Sequence, residues 1–252
     1  MIRFVGAGCG AADLITVRGQ RLLQEADVII YAGSLVNPAL LEVKKDGCRV
    51  YNSAEMTLEE VLSVMYDAEA QGLMTVRLHT GDPCLFGAIR EQMDALDEKG
   101  IAYDYTPGVS SFCGAAAALN MEYTLPGVSQ SVVITRMAGR TPVPERESVR
   151  AFAQHRATMV LFLSTGLLEK TQEELIAGGY PSDTPAAIVY KASWPDERTF
   201  LCTIGTLAAC AKENGVKKTA LIIVGDTVRQ SGYARSELYN PTFATEFRPA
   251  KE

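Results

Sequence analysis

The sequence contains two histidines and has no G-x-S-x-G elbow, no Walker loop and no C-x-x-C pair. Each absence removes a class of chemistry. Without an elbow or a histidine-rich constellation, covalent catalysis by a serine or cysteine nucleophile lacks its usual parts. Without the Walker loop there is no P-loop phosphate site. The six cysteines, Cys9, Cys48, Cys84, Cys113, Cys202 and Cys210, match no zinc or cluster spacing, so they read as free thiols and no metal is expected. No run approaches the roughly 20 apolar residues that span a membrane. The N-terminus also lacks a signal peptide's basic start and cleavage pattern, so the chain is expected to be cytosolic, with no membrane partner. Positive charge is scarce as well: 24 Lys and Arg stand against 30 Asp and Glu, a net charge of -6. Bulk electrostatics then give no hold on nucleic acid, and an anionic ligand must meet a local basic patch.

What the sequence does contain is a repeated strand, loop and helix pattern. Short apolar runs at 2–5, 28–31, 48–51, 73–78 and 101–105 alternate with helical periodicities, one of them opened by the capping box Thr57-Leu-Glu-Glu60. Five strands with helical crossovers predict an α/β domain on a mostly parallel, doubly wound sheet over residues 1–112. Further strands are expected at 132–135, 158–163, 186–190, 198–203 and 220–224, with helices near 145–155, 167–177 and 206–214. The short spacing between 186–190 and 198–203 predicts antiparallel pairing, hence a second α/β domain, 113–252, on a mixed sheet. Only the last dozen residues are expected to be loosely held.

The strand ends carry the polar and glycine-rich loops. Arg77-Leu-His-Thr-Gly-Asp-Pro-Cys-Leu-Phe-Gly87 breaks from a buried strand into such a loop, with a helix expected to begin near Leu85. Open α/β sheets place ligands at this end of their strands. The first loop, Gly6-Ala-Gly-Cys-Gly10, fails the dinucleotide fingerprint: its third glycine comes one residue early, and Asp27 precedes the second strand instead of ending it. A dinucleotide-dependent oxidoreductase is therefore a poor reading.

Six segments in order, Gly6-Ala-Gly, Asp13-Leu-Ile-Thr-Val-Arg-Gly19, Tyr31-Ala-Gly-Ser-Leu-Val36, His79-Thr-Gly-Asp-Pro83, Thr106-Pro-Gly-Val-Ser-Ser111 and Ala138-Gly-Arg-Thr-Pro-Val-Pro144, resemble the tetrapyrrole methyltransferases of corrin biosynthesis. The third and last of these segments, at 31–36 and 138–142, most resemble members that methylate carbon 11 of a precorrin-4-type ring; relatives acting at other ring carbons are the alternative. The resemblance implies two α/β domains, a homodimer, S-adenosylmethionine as cofactor in a cleft between the domains, and a tetrapyrrole as substrate. Carried over by motif, the cofactor contacts fall on Cys9, Thr80, Gly81, Asp82, Leu85, Ser110, Ser111, Leu163 and Ala192. Cys9 stands where the family usually has proline. Asp82 reads equally as a cap for the helix expected near Leu85, and Ser110 and Ser111 as caps of the alanine-rich helix that follows. A polycarboxylate substrate needs cations, which points to Arg136 and Arg140, whose planar forks suit carboxylates, with His79, Arg77 and Lys191 as further candidates. No residue is identifiable as a catalytic base.

Overall fold

The computed structural model describes residues 1–250. It divides into two compact units, Met1–Ala115 with Lys191–Glu197, and Ala116–Tyr190 with Arg198–Glu252. The division falls after Ala115 instead of at 112, and the 191–197 segment joins the first unit.

The first unit contains β1 (Ile2–Gly6), α1 (Val17–Glu25), β2 (Val28–Tyr31), β3 (Arg49–Asn52), α2 (Leu58–Ala70), β4 (Thr75–His79), α3 (Arg90–Glu98) and β5 (Tyr103–Thr106), and leads into α4 (Ser111–Ala118). All its strand pairs are parallel, in the order β3-β2-β4-β1-β5. A parallel strand covered on both faces reads as a continuous apolar run, and all of β4 is buried. Alternate residues face opposite layers. Ile2, Phe4, Val28 and Ile30 pack with Val61 and Met65 of α2 and Met93 and Leu96 of α3. Val5, Ile29, Val76 and Leu78 pack with Leu22 and Leu23 of α1. The capping box predicted at Thr57 forms: the Glu60 N–H donates to Thr57 Oγ1 at 3.3 Å and the Thr57 N–H to Glu60 Oε2 at 2.7 Å, a cap of the kind that contributes about 1 kcal/mol.

These layers locate the ligand crevice. The chain leaves β1 through α1 on one face and returns from β3 through α2 on the other, so connections from the adjacent strands β1 and β4 depart to opposite sides. Right-handed crossovers make this reversal unavoidable, and it opens a gap at the carboxyl ends of those two strands.

The second unit contains β6 (Val132–Arg136), α5 (Val149–Ala153), β7 (Thr158–Phe162), α6 (Leu168–Ala177), β8 (Pro185–Tyr190), β9 (Arg198–Thr203), α7 (Leu207–Glu213) and β10 (Ala220–Val224). Its strand order is β6-β7-β10-β8-β9, with β6 and β7 parallel and the other neighbours antiparallel. The mixed sheet follows from the connections, since 191–197 is too short to carry a crossover helix between β8 and β9. Met159, Leu161, Ile188 and Ile222 form its core with Leu175, Leu207 and Ala211.

The tail is held by one of its own arginines. Arg248 Nη2 donates to the carbonyls of Leu238, Asn240 and Phe243 at 3.0, 2.8 and 3.3 Å, closing the segment on itself. Of the dozen residues expected to be loose, 251 and 252 lie outside the described range. Among the described residues, no helix is long and apolar enough to cross a membrane.

Candidate functional site

At the crevice, three strand ends of the first unit meet backbone to backbone. The Ala7 N–H donates to the His79 carbonyl at 2.7 Å, and Gly8 and Gly81 exchange both amide bonds, at 3.2 and 2.8 Å. A Cβ added at Gly6 would lie 2.5 Å from the Gly108 nitrogen, and one at Gly108 would lie 2.1 Å from the Gly81 carbonyl oxygen. The ends of β1, β4 and β5 can approach this closely only because no side chain intervenes. Asp82 then ties the second and third loops together. Its Oδ2 accepts the Gly108 N–H at 3.1 Å, while Oδ1 accepts the Cys84 N–H at 2.9 Å and the Tyr105 hydroxyl proton. With the Cys84 thiol also hydrogen-bonded to it, the carboxylate's roughly four acceptor positions are largely used in bracing these loops.

Asp82 does not cap a helix. Residues 83–86 form turns and α3 begins only at Arg90, because Gly87 is pressed against Pro83 and Phe86 and Ala88 hold positive φ of 56° and 48°. Leu85 belongs to this turn, its N–H donating to the Asp82 carbonyl at 3.2 Å. Ser110 is buried in front of α4 and its carbonyl accepts the Cys113 and Gly114 amides at 3.0 and 3.3 Å. Gly81 closes on this loop: its absent Cβ would lie 3.4 Å from the Ser111 nitrogen and 3.5 Å from the Ser110 Cα. The small residues of α4 serve the same close packing, since a Cβ on Gly114 would meet Cys9 Sγ at 2.8 Å and the Ala192 Cβ at 3.4 Å. The structure thus brings Cys9, Thr80, Gly81, Asp82, Leu85, Ser110, Ser111 and Ala192 together in the first unit.

Two polar atoms at the end of β4, His79 Nε2 and Thr80 Oγ1, are buried without a hydrogen-bond partner. Leaving such a group unpaired costs about 1–3 kcal/mol; His79 Nε2 lies on the closed face of the strand, whereas Thr80 Oγ1, in the loop that follows, is a position that a bound polar molecule would satisfy. A small polar ligand carried by backbone loops therefore fits the residues present.

The expected cations are redistributed. His79 and Arg77 lie on the α2/α3 side of a strand covered on both faces, and do not present the cation to a substrate carboxylate that their strand-end position suggests. Burial, reinforced by the Arg77 charge, lowers His79 to about 3, so it is neutral at physiological pH and stacks on Phe4 with ring centroids 6.3 Å apart. Burial lowers Arg77 to about 10; it donates to Gln92 Oε1 at 3.1 Å and to the Ile30 carbonyl at 3.2 Å. Lys191 pairs with Asp196 at 2.6 Å and lies 5.7 Å from the centroid of the Trp194 ring. A further groove of about 400 Å³ runs along α1 and is lined by Arg3, Arg18, Arg21 and Thr106, but Glu25 and Asp104 line it too and Arg3 is paired with Asp104. Its charges largely cancel.

The second unit holds the other three expected residues at adjoining strand ends, β6 and β7. Arg136 is spent on its own loop, donating to the carbonyls of Met137, Thr141 and Pro142 at 3.3, 3.1 and 3.0 Å. Arg140 is exposed at the tip of that loop and, among the described residues, no hydrogen bond or ion pair engages it. Leu163 is 67% exposed with a φ of 51°, and beside it Ser164 Oγ accepts the Met137 N–H at 2.9 Å.

Of the nine non-glycine residues with positive φ among the described residues, five (Phe86, Ala88, Leu163, Lys191 and Ser193) lie in these loops. Strained backbone concentrates where function requires it. Tyr105, Gly108, Ser193 and Trp194 escaped the sequence reading as site residues. The alternation of Tyr103 and Tyr105 along one strand was a signal for the first; nothing local distinguished Ser193 or Trp194.

Cys84 and Cys113 sit on the exposed side of this group. Their thiols are pushed above the usual range, by desolvation at the sulfur first and then by Asp82 for Cys84 and by Cys9 for Cys113. Among the described residues, no three His, Cys, Asp or Glu side chains converge as ligands for a metal ion.

Comparison with known proteins agrees with this construction. The family model described as Tetrapyrrole (Corrin/Porphyrin) Methylases matches residues 1–208. A cobalt-precorrin-4 C(11)-methyltransferase of Methanocaldococcus jannaschii is 52% identical over 244 residues, covering 97% of this chain and 94% of the relative. A precorrin-4 C(11)-methyltransferase of Pseudomonas aeruginosa is 44% identical over 250 residues, covering 99% of each. Among solved structures, a cobalt precorrin-4 methyltransferase of cobalamin biosynthesis superposes with a TM-score of 0.88 at 45% identity, over 90% of this chain and 95% of that one. A uroporphyrin-III C-methyltransferase of Thermus thermophilus, complexed with S-adenyl homocysteine, gives a TM-score of 0.75 at 28% identity over 91% and 93% of the two chains. With glycine-built strand ends, two α/β units and relatives of this similarity along nearly its whole length, the chain belongs to the tetrapyrrole methyltransferase family.

Proposed function

We propose that this chain is an S-adenosylmethionine-dependent C-methyltransferase of cobalamin biosynthesis, acting at carbon 11 of precorrin-4 or cobalt-precorrin-4. The observation that carries the donor assignment is the backbone cradle at the β1/β4 reversal, with the buried Thr80 hydroxyl left for a ligand. Both relatives at 52% and 44% identity bear the C(11) name, which supports the acceptor.

The residues that would hold the donor in the first unit are Cys9, Thr80, Gly81, Asp82, Leu85, Ser110, Ser111 and Ala192. The first loop also weighs against a dinucleotide. After Gly10 the chain makes a 3₁₀ turn at Ala12–Leu14 and α1 starts only at Val17, so the loop does not run straight into the helix N-terminus that a pyrophosphate needs. S-adenosylmethionine carries no phosphate and supplies an electrophilic methyl group on a sulfonium. In-line transfer of that methyl disperses charge, and the protein's task is to align the partners and keep water out. Backbone amides and carbonyls locked by glycine contacts suit this task, because they do not need to reorganise. The protonated thiols of Cys84 and Cys113 do not compete as nucleophiles. On the acceptor side, Arg140 is the available cation for a substrate carboxylate, and Arg136 shapes the loop that presents it. His79, neutral and packed, contributes polarity and no charge. The active form is read as a homodimer, which sedimentation of the purified chain would test.

The test of function is incubation with methyl-labelled S-adenosylmethionine and either metal-free or cobalt-loaded precorrin-4, followed by mapping of the labelled carbon. Label at carbon 11 is the expected result, and the preferred ring identifies the pathway form. Label at another carbon would assign a different member's reaction. Tetrapyrrole binding with no label transferred would make the chain a sequestering protein.

A further inference from the structure

Between β8 and β9 the segment Lys191–Glu197 packs with the first unit, and its shape is tightly specified. Lys191 and Ser193 hold φ of 48° and 63°, a region that non-glycine residues occupy only where their surroundings enforce it. The enforcing contacts are present. The Ser193 N–H donates to Glu197 Oε2 at 2.5 Å, the Trp194 N–H to the Lys191 carbonyl at 3.0 Å, and Lys191 pairs with Asp196. The Trp194 ring is pressed against Gly10, where an added Cβ would come within 2.4 Å of a ring carbon.

All of this aims one hydroxyl at one place. Ser193 Oγ accepts the Ala11 N–H at 3.0 Å and lies 3.3 Å from Cys9 Sγ. It therefore grips both ends of the Cys9–Ala11 turn, which α1 does not anchor because that helix begins only at Val17. The same loop supplies Gly8, whose amide pair with Gly81 builds the cradle beside the unpartnered Thr80 hydroxyl.

We infer that Ser193 is a positioning residue for the methyl donor: its hydroxyl holds the first strand-end loop in the donor-accepting conformation from a point 184 residues away in sequence. The inference rests on reading the cradle as the donor site. Without the hydroxyl, the Ala11 amide loses its acceptor and the loop gains freedom that donor binding must remove. The loss then falls on affinity and leaves the chemical step unchanged.

The experiment is calorimetric titration of S-adenosylhomocysteine into the full chain as wild type, Ser193→Ala and Ser193→Gly, with donor kinetics and melting in parallel. Both variants lack the hydroxyl, but glycine relaxes the φ of 63° while alanine keeps the strain. Both should raise Kd and donor KM about tenfold, with kcat within about twofold. The glycine variant should nevertheless melt higher than the alanine variant. Affinity that follows melting temperature, so that Ser193→Gly binds like wild type, would overturn the proposal, as would unchanged affinity in both. A wild type that takes up no S-adenosylhomocysteine would bring down the donor reading itself, and this inference with it.

Discussion

The two units end their strands in different ways. In the first, Gly6, Gly81 and Gly108 let three strand ends pack main chain to main chain, so the polar groups there are amides and carbonyls held by neighbouring backbone. In the second, the loop after β6 is held from within by one guanidinium on three carbonyls, and its nearest arginine stands free in solvent. A backbone-built site is rigid and intolerant of added atoms. A side-chain-held loop tolerates change around its anchor and can present a long, adaptable group. These properties match a donor common to many methyl transfers and an acceptor whose carboxylates must be met individually.

The sharpest way to break this contrast is to add one methyl group to each loop. Gly108→Ala places a Cβ 2.1 Å from the Gly81 carbonyl oxygen, and urea unfolding should show a loss of about 3 kcal/mol or more. At Gly139 the nearest atom to an added Cβ is 3.9 Å away, so Gly139→Ala should stay within about 0.5 kcal/mol. Equal losses would erase the distinction.

An intermediate effect tests whether the first unit's floor is as closed as it looks. Folding lowers His79 from 6.5 to about 3. Above pH 6.5 both folded and unfolded chains carry it neutral and no stability is lost. Below that pH the unfolded chain takes up a proton that the folded chain refuses. Stability should fall as pH drops from 6.5 toward 3, by at most about 1.4 kcal/mol per pH unit. Wild type measured against His79→Gln should lose about 1.7 kcal/mol between pH 6.5 and 5. A flat difference curve for His79 would mean that water reaches the ring.

The smallest effects separate anchor from contact within the second unit. Arg136→Ala should cost about 1 kcal/mol and speed amide exchange across 137–142, because three carbonyls lose a donor. Arg140→Ala should change stability by less than about 0.5 kcal/mol and weaken tetrapyrrole binding while leaving S-adenosylhomocysteine affinity nearly unchanged. If the two variants behave alike, the loop is held in some other way.

Much of the scaffold was legible because local rules agreed with each other. The Thr57 capping box, the apolar run at 73–78 and the short 191–197 link each determined their own element or pairing. The site was legible as a set of loops, through Gly81, Asp82 and Ser110 in their motifs, and less so in what each residue does there. Arg77 and His79 illustrate the limit. Their spacing put them on one face of a strand, but only the packing of α3 and Phe4 showed that this face is closed and that histidine is neutral on it. Arg136 and Arg140 look equivalent in a sequence, and the hydrogen bonds of a folded loop make one of them an anchor.

The sequence by itself determined the α/β order, the parallel and mixed sheets, the glycine-bearing strand ends and, through six ordered segments, the resemblance to a methyltransferase family. All of these depend on neighbours along the chain, where periodicity, capping and turn chemistry operate. The tertiary structure alone decided that Asp82 braces two loops, that the cations divide into buried, braced and free, and that Ser193 holds a loop 184 residues away. Those assignments depend on which distant groups exclude water from one another, a relation that sequence spacing does not encode.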